Sequence, residues 1–204
     1  LPHGGPDELP DEVESVVLAC YGQDYDYLAL KGVVEKWLET AGVEKVHYVR
    51  NAAGTTYHPG RCADIYVGDQ KLGVIGELHP TVLANYGVKP RVVAAELNMD
   101  VLFENRGGTA MFRPLPKHPA TTRDLALVAD LSVPAAEIAD RIEKAAGKLL
   151  ESLTLFDVYT GEHMAEGKKS LAYNLVLRAS DRTLTDEETD NIVHKVLKSL
   201  MEID

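Results

Sequence analysis

Between Ser170 and Arg178, large apolar side chains alternate strictly with smaller or polar ones. The large residues are Leu171, Tyr173, Leu175 and Leu177. Successive side chains of a β-strand point to opposite faces, so this segment predicts a strand with one buried face and one open face. Such a strand fits an antiparallel sheet that helices cover on one side only. We therefore expect an α+β domain whose sheet keeps one face free.

The residues before this strand predict a strand, a helix and a second strand. The two strands are expected over 124–129 and 149–159. The helix between them is expected to be capped by Ser132, to carry Pro134 in its first turn and to end at Gly147. Its apolar residues recur at helical spacing, and they are Ile138, Ile142, Ala145 and Ala146.

A second helix is predicted from Thr185 onwards. Thr185 and Glu188 have the spacing of a capping box, in which each side chain bonds the backbone of the other residue. Together the elements follow a β-α-β-β-α order. This is the order of a ferredoxin-like split βαβ unit without its last strand, which would begin near Asp204.

The first half of the chain predicts an antiparallel sheet of four or five strands with only two helices. The strands are expected over 16–20, 45–50, 63–67, 72–78 and 91–98, and the helices over 29–41 and 80–85. Gly107 to Thr109, followed by Pro114 and Pro116, suggests a break between domains. We place the domains at 1–108 and 109–204.

The charge balance excludes one class of nucleic-acid-binding protein. The chain has 204 residues with 32 acidic and 21 basic side chains, a net charge of −11. Binding of nucleic acid through bulk positive charge is therefore excluded, although a local basic strip is not. No apolar run approaches the roughly 20 residues that cross a bilayer, so we expect no membrane partner and a cytoplasmic location.

Strand alternation predicts which residues line the open face of the second sheet. Ala126 and Ser170 are expected there, together with Leu155, Asp157 and Tyr159 of the second strand. Phe156 and Val158 are expected to point towards the helices.

Basic side chains are expected near the margins of this face, among them Lys168, Lys169 and Arg178. A face with small residues and one aromatic ring suits single-stranded RNA, because unstacked bases lie on rings while basic groups meet phosphates. An ordinary exposed sheet face is the alternative interpretation, which the residues alone leave open.

Histidine and arginine in the first half raise the question of catalysis. The segment from His58 to Arg61 could hold a phosphate or carboxylate, as a small-molecule enzyme would require. His-Pro pairs are, however, typical of turns, and the histidines lack the spacing of a helical metal motif. Glu77 and His79 have no recognisable nucleophile to activate. We therefore predict no catalytic residue and no metal ligand.

Several motifs in order resemble a known family. The stretches are RDLALV at 123–128, LFDVY at 155–159, EGKKSLA at 166–172 and RTLTDEE at 182–188. They resemble the ferredoxin-fold anticodon-binding domain that ends the beta subunit of bacterial phenylalanine–tRNA ligases. In the first half, HPGRCA at 58–63 and GVIGELHP at 73–80 resemble segments of the same family, and LALKG at 28–32 does so more loosely.

The resemblance implies a fold and a role for each half. Residues 1–108 would form part of a noncatalytic domain like the class II synthetase core, which serves assembly. Residues 109–204 would recognise the anticodon stem-loop of phenylalanine tRNA. Tyr159 lies at the family position whose ring stacks on an anticodon base, and Ala126 and Ser170 lie at neighbouring contact positions.

The resemblance also implies partners. The family enzyme is an (αβ)2 heterotetramer that charges tRNA with ATP and Mg2+, and its alpha subunit carries the chemistry. The present chain would bind neither cofactor and would resemble a C-terminal fragment that does not aminoacylate alone. The alternative is a purely structural assembly module of the same ligase, without direct contact to tRNA.

Overall fold

The computed structural model describes residues 12–22, 24–51, 55–107, 112, 114–162 and 164–201. The chain forms two compact units, Leu1–Phe112 and Arg113–Asp204, which we call the N-terminal and C-terminal units. Gly108 and Thr109 of the predicted break lie outside the described residues. The domain boundary predicted at 108/109 stays a prediction.

The N-terminal unit is built on a five-stranded antiparallel sheet, as predicted. Its elements are β1 Ser15–Tyr21, α1 Tyr27–Thr40, β2 Val46–Arg50, β3 Tyr57–Val67, β4 Gln70–Leu78, α2 Pro80–Asn85, β5 Val92–Asn98 and α3 Met99–Asn105. The strand order is β1-β5-β4-β3-β2. Helix α3 was not predicted: it has only seven residues, too few for a clear periodic signal, and depends on a cap by Asn98 that bonds the Val101 N–H.

Helix α1 covers one face of this sheet. The Asp26 side chain accepts a hydrogen bond from the Ala29 N–H at 2.9 Å, so the helix starts earlier than its apolar pattern indicates. Its buried residues are Leu30, Val34 and Leu38, which belong to one core with residues of β3, β4 and β5.

Two glycines bring the end of α1 against the segment that follows α3. Gly42 has a φ of +74°, and a methyl group there would lie 2.9 Å from the Cα of Gly107. The Gly107 N–H donates to the Ala41 carbonyl at 3.2 Å. Gly42 therefore meets two requirements, a left-handed backbone and a close approach between main chains.

We expect Gly42→Ala to destabilise the N-terminal unit by about 2 kcal/mol or more, because alanine is strained at this φ and its methyl group meets the main chain of Gly107. Gly87→Ala is the matched control, since Gly87 has a φ of +68° with no atom within 4 Å of an added methyl group. Chemical denaturation should show a clearly larger loss for Gly42→Ala. Equal losses would show that the approach to Gly107 is not a constraint.

The C-terminal unit has the predicted β-α-β-β-α order. Its elements are β6 Thr121–Asp130, α4 Ala135–Ala146, a 3₁₀ turn Gly147–Leu149, β7 Leu150–Tyr159, β8 Lys168–Leu177 and α5 Asp186–Leu200. The sheet order is β6-β8-β7, and both pairs are antiparallel. Residues 202–204, where a last strand was expected to begin, lie outside the described residues.

The alternating strand is the centre of this sheet, with one face buried. Its four large residues Leu171, Tyr173, Leu175 and Leu177 are at most 1% exposed. They share a core with Ile138 and Ile142 of α4 and with Ile192 and Val196 of α5. The predicted alternation of β8 is therefore confirmed.

The helix termini differ in how well they were predicted. The capping box between Thr185 and Glu188 is present at the start of α5. The predicted cap of α4 at Ser132 is wrong, because the N-cap lies two residues later, at Pro134, and no side-chain cap bond is made. Proline has no side-chain acceptor to cap the first turn, but its fixed φ suits the start of a helix.

Tyr173 has a polar group within the core. Its hydroxyl donates to the Ala135 carbonyl at 2.8 Å, and burial raises the pKa of Tyr173 to about 12.

We expect Tyr173→Phe to lower the free energy of unfolding by about 1 kcal/mol, since one buried hydrogen bond is lost. Tyr86→Phe, at a residue that is 82% exposed, is the control and should leave denaturant unfolding unchanged. An unaltered Tyr173→Phe variant would contradict a stabilising role for this bond.

Candidate nucleic-acid interface

The sheet of the C-terminal unit has a second face, which we call the open face. It is formed by three rows that cross β6, β8 and β7 in register. The rows are Val128–Ser170–Tyr159, Ala126–Ala172–Asp157 and Asp124–Asn174–Thr154. None of these nine residues is buried, in contrast to the helix-facing residues of β8. The open face therefore carries Ala126, Tyr159 and Ser170 together, as strand parity predicted.

Tyr159 supplies the aromatic ring of the open face. It ends β7, is 42% exposed and lies opposite Ser170. The neighbouring row contributes only the small side chains of Ala126 and Ala172 on β6 and β8. A planar group can therefore approach the ring without meeting a bulky neighbour on that side.

Asp157 is a residue of the open face that we did not predict to be a site residue. Within the described part of the chain, no hydrogen bond or ion pair of its carboxylate is seen, and it lies in the row next to Tyr159. A carboxylate accepts hydrogen bonds from the amino and imino groups of bases. Its outward parity was visible in the sequence, and its acceptor chemistry was the signal that could have selected it.

The second strand corrects part of the parity prediction. Leu155 was predicted on the open face, but it lies opposite the buried Tyr173. Phe156 was predicted to pack under the helices, but it has no partner in the register and is 56% exposed. The cause is a β-bulge between Leu155 and Asp157, which inserts one residue and reverses the parity of the strand from Leu155 back to Ser152, where a second shift follows. The alternation of side chains counted back from Tyr159 is therefore correct only as far as Asp157.

The predicted basic residues are not gathered at the ring. Lys168 lies nearest, opposite Asp130, and its Nζ forms an ion pair with that carboxylate at 2.9 Å. The Lys169 Nζ instead donates to the Val133 and Leu131 carbonyls in the turn after β6. Its register partner is Ala129, so it belongs to the helix-facing side of β8.

Arg178 lies at the other end of β8 from Ser170. At a rise of about 3.3 Å per residue, the two positions are separated by roughly 26 Å. Arg178 donates to the Glu151 carboxylate and to the His118 carbonyl. It therefore joins the start of β7 to the segment before β6, and a contact with phosphate would require these bonds to open.

The polar cluster of the N-terminal unit forms internal contacts instead of a free site. The Arg61 Nη1 lies 3.0 and 2.8 Å from the two carboxylate oxygens of Glu77, which is 7% exposed. The Nδ1 atoms of His58 and His79 each accept a hydrogen bond from a backbone N–H two residues later. These contacts anchor the irregular part of β3, between Tyr57 and Cys62, against the end of β4. They favour a structural role for this motif.

Among the described residues, no group of three or more His, Cys, Asp or Glu side chains is arranged to hold a metal ion. In the same residues, no helix has both the length and the apolar character needed to span a membrane.

Two protein families match this chain. Residues 116–203 match the family described as "Ferredoxin-fold anticodon binding domain". Residues 1–99 match the family described as "Phenylalanyl tRNA synthetase beta chain CLM domain". The two matches follow each other along the chain in the order that the motifs predicted.

Curated relatives agree with these matches. The phenylalanine–tRNA ligase beta subunit of Clostridium tetani is 43% identical over 192 residues, covering 94% of this chain and 24% of the relative. That of Symbiobacterium thermophilum is 43% identical over 205 residues, covering 95% and 23%. That of Thermobifida fusca is 50% identical over 156 residues, covering 74% and 18%. The chain thus spans about a quarter or less of the length of these relatives.

Proposed function

Since the chain belongs to the family of phenylalanine–tRNA ligase beta subunits, we propose that its C-terminal unit binds the anticodon stem-loop of phenylalanine tRNA. The observation that carries the proposal is the open face, where the half-exposed ring of Tyr159 lies beside small residues in a domain of the anticodon-binding family. Loop nucleotides of RNA are unstacked, so their bases are free to lie on such a ring.

Five residues of the open face have a task in this proposal. Tyr159 stacks on a base, which is worth about 1–3 kcal/mol per ring. The Ser170 hydroxyl donates or accepts a hydrogen bond at a base edge, and the Asp157 carboxylate accepts from base amino or imino groups. Ala126 and Ala172 leave room for the planar rings. Stacking supplies affinity and the polar groups supply selectivity.

Phosphate contacts have a minor part in the proposal. Lys168 is the basic residue nearest Tyr159, and it can exchange Asp130 for a phosphate at modest cost because both side chains are partly exposed. Lys169 and Arg178 stay candidate contacts, but they would have to leave backbone or carboxylate partners. Their present contacts favour a role in holding the turn after β6 and the start of β7.

The rest of the proposal concerns the whole ligase. The N-terminal unit supports assembly with the alpha subunit in an (αβ)2 heterotetramer, in the cytoplasm. The ligase uses ATP and Mg2+ to join phenylalanine to its tRNA, and the alpha subunit carries this chemistry. The present chain takes no part in the reaction itself.

A second candidate is a purely structural assembly module without tRNA contact. It is favoured by the charges at the open face, where Asp124 and Asp157 face outwards and Lys168 is already paired. This candidate predicts that the chain does not bind the stem-loop, whereas the proposed function predicts binding that depends on Tyr159.

We expect Tyr159→Ala to weaken binding of the 204-residue chain to the anticodon stem-loop by about 5-fold to 150-fold, the equivalent of one stacked base. Fluorescence anisotropy with a labelled stem-loop measures the affinity. Tyr159→Phe keeps the ring and should retain most of the binding, while Tyr86→Ala removes an exposed ring of the N-terminal unit and should change nothing. Equal binding by Tyr159→Ala would refute the stacking role, and no binding by the unaltered chain would favour the assembly module.

The salt dependence of stem-loop binding tests whether phosphate contacts make only a minor contribution. If Lys168 neutralises one phosphate, log K should fall with log salt at a slope of about −0.7, and Lys168→Gln should bring the slope close to zero. Lys36→Gln is the control, because Lys36 also forms an exposed ion pair, with Glu39 in the N-terminal unit. A slope several times steeper, unchanged by Lys168→Gln, would place the phosphate contacts elsewhere.

A further inference from the structure

We infer that Gly161 is a positioning residue for the ring of Tyr159. Because residue 161 has no side chain, the phenol end of the ring lies against its main chain, and we call this contact the seat of the ring. The inference rests on the proposed function, because it concerns how the stacking ring is presented to RNA. Gly161 follows β7 in the connection to β8.

The contact between the two residues is close. A methyl group placed on Gly161 would overlap the Oη and Cζ atoms of Tyr159 and would lie 2.6 Å from Cε2. The far end of the ring thus rests on the main chain of its own loop, two residues further on. Any side chain at 161 would occupy the volume that the ring now fills.

The backbone of Gly161 does not itself require glycine. Among the described glycines, those with positive φ are Gly22, Gly42, Gly68, Gly87, Gly147 and Gly167. Gly161 is absent from this group, so its φ does not call for glycine. Gly167, at the other end of the same connection, is the opposite case, with a φ of +77° and no atom within 4 Å of an added methyl group. Glycine is needed at 167 for conformation and at 161 for the ring.

The seat is held by backbone hydrogen bonds that do not involve the ring. The Met164 N–H donates to the Gly161 carbonyl at 3.0 Å. The end of the connection is fixed by the Lys168 N–H on the Ala165 carbonyl at 3.1 Å and by the Leu131 N–H on the Gly167 carbonyl at 2.8 Å. The loop can therefore keep its shape when the ring is displaced.

A seated ring has a consequence for binding. Its phenol end is covered by the loop, so a base can reach the ring only from the uncovered side. The contact with Gly161 restricts the ring before RNA arrives, which reduces the conformational entropy lost on binding. Gly161 thereby acts on RNA only through Tyr159 and needs no contact of its own.

Gly161→Ala is a selective perturbation of this arrangement. The added methyl group meets the far end of a side chain and not a backbone atom, so the ring turns away while the loop stays. We expect the affinity of the 204-residue chain for the anticodon stem-loop of phenylalanine tRNA to fall by about 5-fold or more, up to the loss caused by Tyr159→Ala. The melting temperature should stay within a few degrees of that of the unaltered chain.

A double-mutant cycle provides the test. Affinities are measured for the unaltered chain, Gly161→Ala, Tyr159→Ala and the double variant, with the labelled stem-loop as probe. Gly161→Ala should weaken binding when Tyr159 is present and should have no further effect in the Tyr159→Ala background. Glu162→Ala, at the next residue, is the control and should bind like the unaltered chain. Gly167→Ala, which disturbs the loop through its φ, should show a loss that persists without the ring.

The outcomes separate this inference from the proposed function. If Tyr159→Ala weakens binding and Gly161→Ala does not, the positioning role is overturned and the stacking role stands. Equal losses from Gly161→Ala with and without Tyr159 would also overturn it, since the glycine would then act through the loop. If Tyr159→Ala itself has no effect, the stacking role is refuted and the positioning role is overturned with it. Should Gly161→Ala melt much earlier, ¹⁹F NMR of fluorotyrosine-labelled folded chain decides: an unmoved Tyr159 signal contradicts the seat, and a shifted signal supports it.

Discussion

The burial of one face of β8 is the constraint on which the C-terminal unit depends. Four large side chains of this central strand lie under α4 and α5 at 1% exposure or less. Each fully buried side chain of this kind contributes about 1.5–3 kcal/mol relative to an exposed one. A slip of one residue would expose all four, so the register is strongly specified. The same register sends Ser170, Ala172 and Asn174 to the other face.

The open face is thus a consequence of the core. Its rows take their positions from β8, which pairs with β6 along its whole length and with β7 on its other side. The edge strand β7 is less regular, because its bulge between Leu155 and Asp157 shifts the pairing. The bulge places Asp157 and Tyr159 on the same face as Ser170 while Leu155 stays on the helix-facing side. An irregularity of the edge strand therefore decides which side chains stand beside the ring.

Charge distinguishes this interface from a basic RNA-binding surface. Lys169 and Arg178 are engaged by carbonyls and a carboxylate of the same unit, and Lys168 is paired with Asp130. A chain with a net charge of −11 repels a polyanion at long range, so recognition has to come from short-range contacts. Stacking and base-edge hydrogen bonds are such contacts, and both depend on geometry that is set before binding. The seat at Gly161 acts in the same way, since it positions the ring before binding without adding charge.

The amino-acid sequence alone was enough to predict the periodic part of the protein. The alternation in β8, the helical spacing of Ile138 and Ile142 and the capping box at Thr185 are local patterns, and the structure contains all three. Together with the strands predicted over 124–129 and 149–159, they were sufficient for the β-α-β-β-α order and for the face on which Ala126, Ser170 and Tyr159 lie. Three features are visible only in the folded chain: the bulge in β7, the partners of Lys169 and Arg178, and the approach of the Tyr159 ring to Gly161. Periodicity follows from the geometry of a single element, whereas a bulge, an ion pair or a ring contact depends on which atoms the neighbouring strand or loop brings near.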